Sequence, residues 1–285
     1  RGFAHLGVIR AFREHSRIEP TILSGTSAGS IAAACYAAGL DQGLLEEAAA
    51  DFTWFQHVIS LSETTKYMLS LRREGGLLSN TALEQTINTL IDDRSFDDLD
   101  RELAVVAVDL DQHIRAIFTS RKVAAALSQE VLDEYLPLPQ NGKSGFVTRV
   151  ITDVPVGVAV RASCTVPGLF HPVEVEDMRL VDGGIIDQVP VNVVKAMGAG
   201  FIFGISLGLA MIVVQHNTAF NTLSKTIEAM AIPQIRRSLD MADIGFQVTD
   251  IERQSPIKLK QTNLIEQGEA DMLSHLRKIP WLYKK

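Results

Sequence analysis

Residues 21–30 read Thr21-Ile22-Leu23-Ser24-Gly25-Thr26-Ser27-Ala28-Gly29-Ser30, and the reading of this stretch decides the fold. Pro20 precedes a short, partly β-branched run at 21–24, which predicts a strand. Residues 30–38 (SIAAACYAA) are rich in alanine and stop at Gly39, which predicts a helix with a glycine terminator. Between them lies Gly25-x-Ser27-x-Gly29, a few residues in which a strand must turn into a helix. A serine on so sharp a turn takes strained backbone angles and projects its hydroxyl out of the sheet. It also sits at a helix N-terminus, where unpaired N–H groups favour negative charge. That is the geometry of an activated nucleophile. The same pentapeptide also serves as a plain glycine turn with a serine N-cap.

Working outward, Ala4–His15 carries Val8, Ile9 and Phe12 at helical spacing. Asn80 and Thr81 read as caps of a helix reaching Ile91, with Glu84 completing a capping box. The continuous apolar run 103–108 (LAVVAV) suits a strand covered on both faces, and 114–118 reads as its hairpin partner. Residues 137–145 are turn-rich and read as an exposed loop. Residues 158–163 lead to a break at Val166-Pro167-Gly168, followed by two strands at 173–175 and 178–181. A helix at 189–197, a buried strand at 201–207 and a mostly helical tail from Ala219 complete the chain. Strands and helices alternate throughout, which predicts an α/β fold with a largely parallel sheet between helices. No repeat or linker is visible, so 1–285 reads as one domain, with 207–285 as its mostly helical C-terminal part.

A formal net charge of -7 disfavours nucleic acid as a partner and polybasic docking on anionic lipid. Two cysteines do not make a disulfide scaffold, and both Cys35 and Cys164 read as core. The apolar run 200–214 is shorter than the roughly 20 residues of a spanning helix and reads as a buried strand entering an apolar loop. The expected location is the cytoplasm or a membrane periphery. No zinc, calcium or nucleotide motif is present, so neither a metal nor a cofactor is expected.

A serine hydroxyl needs a base. None of the seven histidines follows an acidic strand end with supporting turn chemistry. His275 lies on an amphipathic stretch, and His5 reads as structural. Asp182 ends an apolar strand and precedes Gly183 and Gly184, where the backbone turns sharply. An ordinary Asp-Gly turn remains the alternative. Phe52, Trp54 and Phe55 read as core or as an apolar patch over a ligand pocket.

Four segments in order resemble the patatin-like phospholipases. They are Arg1-Gly2-Phe3-Ala4-His5-Leu6-Gly7-Val8, the pentapeptide 25–29, the stretch 161–170 (RASCTVPGLF) and Asp182-Gly183-Gly184. The resemblance implies a three-layer α/β/α fold with a mostly parallel central sheet. It implies a dyad without histidine, in which Ser27 attacks an ester and Asp182 takes its proton. Gly25 and Gly29 would shape the elbow, while Ala28 with Arg1 and Gly2 would border the oxyanion hole. The family's glycine-rich loop ends in Arg/Lys-Gly, and the chain opens on those two residues, Arg1 and Gly2. The implied partner is a lipid or ester substrate, with transient contact at a lipid surface. A non-catalytic lipid-binding relative and a Ser-His-Asp hydrolase are the competing readings.

Overall fold

The computed structural model describes residues 2–51, 79–136, 147–208, 219–248 and 261–284. Its centre is the LAVVAV run, which forms strand β2 (Glu102–Asp109) with every residue from Leu103 onward buried. Side chains of a strand alternate between faces. Leu103, Val105 and Ala107 join one core cluster, with Ala34, Ile87 and Val160 from covering helices. Ala104 and Val106 join another, with Val123, Leu132 and Val193. The sheet thus has helices on both sides, and the α/β three-layer expectation holds.

β3 (Ile114–Thr119) is the hairpin partner read from the sequence and pairs antiparallel with residues 104–109 of β2. β4 (Val147–Ile151) runs parallel to β3, and β5 (Val173–Val175) and β6 (Met178–Asp182) form a second antiparallel pair. The other edge of β2 is shared. β1 (Ile22–Thr26) runs parallel along it from Ile22↔Glu102 to Thr26↔Val106. β6 enters from the opposite direction, from Asp109↔Leu180 to Ala107↔Asp182. The C-terminal ends of β1 and β6 therefore face each other across adjacent residues of one strand. The pairings within this sheet are mixed, because both hairpins bring antiparallel neighbours to a parallel framework.

Helix α1 (Ala4–His15) is as expected. Helix α2 (Ala28–Ala37) begins at the residue after Ser27, two positions earlier than the alanine run alone indicates. α3 (Gln42–Asp51) and α4 (Thr81–Leu90) follow. The capping box expected at α4 does not form. Glu84 is drawn instead into an ion pair with Arg161, and Asn80 uses its amide elsewhere. α5 (Arg121–Ala126), α6 (Gln129–Tyr135), α7 (Val156–Ser163) and α8 (Val191–Ala196) complete the layers.

Beyond them, β7 (Phe203–Ser206) pairs in parallel with β8 (Ile244–Gln247), a strand not anticipated within the helical tail. α9 (Ala219–Met241) and α10 (Gln261–Leu276) are the tail helices. α10 packs on α1 so closely that a Cβ on Gly268 would lie 2.0 Å from the Ala4 carbonyl oxygen. The loop expected at 137–145 and residues 209–214 of the apolar run lie outside the described residues. Among the described residues no helix is long and apolar enough to cross a membrane.

Candidate active site

At the end of β1 the chain leaves the sheet through Ser27, whose φ of 52° and ψ of −131° lie where L-residues rarely go. Such a conformation costs on the order of 1–3 kcal/mol and persists only when neighbours hold it. Both ends of the residue are held. Its carbonyl accepts from the Ser30 N–H at 2.8 Å and from the Ser30 hydroxyl at 2.6 Å. Its N–H donates to Ser163 Oγ at 2.9 Å. Gly25 is required by close approach, since a Cβ there would lie 2.6 Å from the Gly29 carbonyl oxygen. Gly29 is different from expectation. A Cβ there would meet only His5 Nε2, at an ordinary 3.6 Å, so crowding by the described residues does not demand glycine.

The half-buried Ser27 side chain stands beside the buried Asp182 carboxylate and favours its charged form. Ser27 and Asp182, 155 positions apart in the chain, thus meet because β1 and β6 end against Val106 and Ala107. Asp182 Oδ1 also accepts the Gly184 N–H at 2.8 Å. Gly183 sits in the seam between the two strand ends, where a Cβ would lie 2.4 Å from the Val106 carbonyl oxygen. Burial raises the Asp182 carboxyl from 3.8 to about 6, against the Ser27 side chain and the Gly184 N–H, which lower it.

On the helix side, Ala28 opens α2 directly after the serine. The first N–H groups of a helix have no intrahelical acceptor, so this turn offers donors beside the hydroxyl. Gly2 lies against it, with a Cβ there placed 3.1 Å from Ala28 Cβ. The chain just ahead of α1 therefore borders the serine. Arg1, Phe52, Trp54 and Phe55 lie outside the described residues.

His5 stands on the first turn of α1, and burial pulls its imidazole down to about 4, which leaves it neutral near pH 7. His275 stacks on Phe246 with ring centroids 4.2 Å apart and engages the Asp271 carbonyl. Cys35 and Cys164 are both buried, and burial pushes the Cys35 thiol up to about 12. The Cys164 thiol is raised further, by burial and then by the Asp182 carboxylate beside it. Among the described residues no three His, Cys, Asp or Glu side chains gather as a metal site.

Reasoning from the sequence missed the neighbours that hold the pair. Thr26 Oγ1 donates to the Asp187 carbonyl at 2.7 Å, tying β1 to the turn after β6. The Asp182 N–H donates to the Thr165 carbonyl at 2.8 Å. Ser163 and Thr165 belong to the 161–170 stretch, so a signal existed, but their roles depend on contacts far away in the chain.

A family model for patatin-like phospholipases matches residues 1–195. An uncharacterised NTE family protein of Mycobacterium tuberculosis is 27% identical over 212 residues, covering 73% of this chain and 46% of its own. A patatin-like phospholipase domain-containing protein of Caenorhabditis elegans is 26% identical over 211 residues, covering 73% of this chain and 13% of its own. The chain spans less than half the length of these relatives. The solved structure of VipD from Legionella pneumophila covers 97% of this chain and 65% of its own, with 15% identity and a TM-score of 0.47. With its match across residues 1–195, the chain belongs to the patatin-like phospholipase family.

Proposed function

We propose that this chain is a serine lipid acyl hydrolase of the phospholipase A, lysophospholipase or esterase type, with Ser27 as nucleophile and Asp182 as base. Membership of a lipid-hydrolysing family supports the substrate class. The observation that carries the assignment is the strained Ser27 turn at the end of β1, set by the strand register against a buried carboxylate raised to about 6. A base titrating near 6 is ionised at neutral pH and still takes a proton more readily than an ordinary carboxylate.

In this reading Ser27 Oγ attacks the ester carbonyl while its proton passes to Asp182. The oxyanion that forms lies at the start of α2, where the Ala28 N–H donates to it, with Gly2 at its border. Each such donor is worth about 10²–10³ in rate. Collapse breaks the ester C–O bond, and the leaving alkoxide takes the proton from Asp182. A water then attacks the acyl-serine, giving its proton to Asp182; the acyl C–O bond to Ser27 breaks, the carboxylic acid leaves, and Asp182 returns the proton to Ser27 Oγ. Gly25 lets strand and helix close around the serine, and Gly183 and Gly184 bring the carboxylate into the seam. The lipid is met by transient contact at a lipid surface.

Hydrolysis of a short-chain nitrophenyl ester by the full-length protein tests the assignment. Ser27→Ala and Asp182→Asn are each expected to lower kcat/KM by at least about a thousandfold while the far-UV circular dichroism stays unchanged. A folded Asp182→Asn protein that keeps parental activity would overturn the role of Asp182.

A further inference from the structure

A bond is missing from the sheet at the point where the nucleophile leaves it. β1 tracks β2 up to Thr26↔Val106, and there Ser27 turns away. Its N–H and the Val106 carbonyl would both be stranded in the interior at that step. The hydroxyl of Ser163, a side chain with no exposed surface, fills the gap. Ser163 Oγ donates to the Val106 carbonyl at 2.6 Å and accepts the Ser27 N–H at 2.9 Å. One hydroxyl thus stands in for the ladder contact that the turn removes.

The segment carrying it is itself fixed. Ser163 ends α7, and two residues on, the Thr165 carbonyl accepts the Asp182 N–H at 2.8 Å. The buried Asn80 amide donates to Thr165 Oγ1 at 2.9 Å and to the Arg161 carbonyl at 3.2 Å. Residues 163–165 therefore hold the backbone of Ser27 with a side chain and the backbone of Asp182 with a carbonyl. A shift of this segment moves both halves of the pair together.

We propose that Ser163 is a positioning residue for the nucleophile, a hydroxyl relay between β2 and the Ser27 amide that keeps the Ser27 hydroxyl aimed at Asp182. This rests on the hydrolase reading for its effect on rate. Without the relay, the strained backbone of Ser27 loses one of its two anchors and relaxes. Ser163 lies behind the serine, so substrate affinity is set elsewhere. The expected signature is a loss in kcat with little change in KM.

Three measurements on the full-length protein test this. Ser163→Ala is expected to lower kcat by on the order of tenfold to a hundredfold, with KM within about threefold of the parent. The rate at which a fluorophosphonate modifies Ser27 should fall by a similar factor. Ser163→Cys, which fills the same space with a weaker hydrogen-bonding group, should fall between the two. A folded Ser163→Ala protein with parental kcat and parental labelling rate overturns the proposal. Amide hydrogen exchange at Ser27 in the parent, followed by NMR, decides the matter even if Ser163→Ala does not fold. The relay requires that amide to exchange at least about a hundredfold more slowly than in an unstructured chain. Exchange at the unstructured rate overturns it. If the parent fails to react with the fluorophosphonate, the hydrolase reading falls, and the exchange rate at Ser27 still stands as the test of the relay.

Discussion

Asp182 pits function against stability. An unfolded carboxyl titrates near 3.8, whereas burial brings Asp182 to about 6 in the folded protein. The folded state therefore holds this proton more tightly than the unfolded one. The group's favourable contribution is fully present below pH 3.8 and is lost as the pH rises through 6, a change of about 3 kcal/mol. Asp182→Asn keeps the shape and removes the charge. It is expected to resist urea better than the parent at pH 8, by about 1–3 kcal/mol, and to show little gain at pH 4. Equal midpoints at pH 8 would contradict this. The same ionisation governs rate. In the parent, kcat/KM for ester hydrolysis should be flat above about pH 6 and fall about tenfold per pH unit well below it.

The contact between α1 and α10 belongs to a larger scale, because neither helix makes it alone. A Cβ on Gly7 would lie 1.8 Å from the Ile265 carbonyl oxygen, and one on Gly268 would lie 2.0 Å from the Ala4 carbonyl oxygen. Arg10 reinforces the crossing by pairing with Glu269 and with Glu46. α1 also carries Gly2 against Ala28, so the tail helix braces the wall of the candidate site from behind. Gly268→Ala is expected to destabilise the fold by about 1–3 kcal/mol, as overpacking does, and to lower the thermal midpoint. An unchanged midpoint would show that the two helices are free to part.

Elements that depend on their own residues were legible in the sequence. The helix at Ala4–His15, the buried LAVVAV strand and its hairpin partner follow from periodicity and burial. The failures have a shared physical cause. Glu84 left its capping role because Arg161, far along the chain, offered a full charge. β8 escaped notice because four residues, Ile244–Gln247, depend on β7 for their pairing. Ser163 drew no reading of its own, since its two partners lie 136 and 57 positions away.

Seen whole, the molecule uses one edge of β2 to solve a long-range problem. Turn chemistry made Ser27 and Asp182 separate candidates, and nothing local says that β1 and β6 come to the same edge from opposite directions. The register places Thr26 beside Val106 and Asp182 beside Ala107, so the two ends meet. Helices on both faces then bury the carboxylate while the serine keeps some exposure. The most direct test is covalent. The full-length protein is treated with a fluorophosphonate and the modified residue is located by peptide mass mapping, in the parent and in Asp182→Asn. One adduct per chain on Ser27, formed at least about a hundredfold more slowly when Asp182 is replaced, is the predicted result. An adduct on another residue, or equal rates in the two proteins, would contradict it.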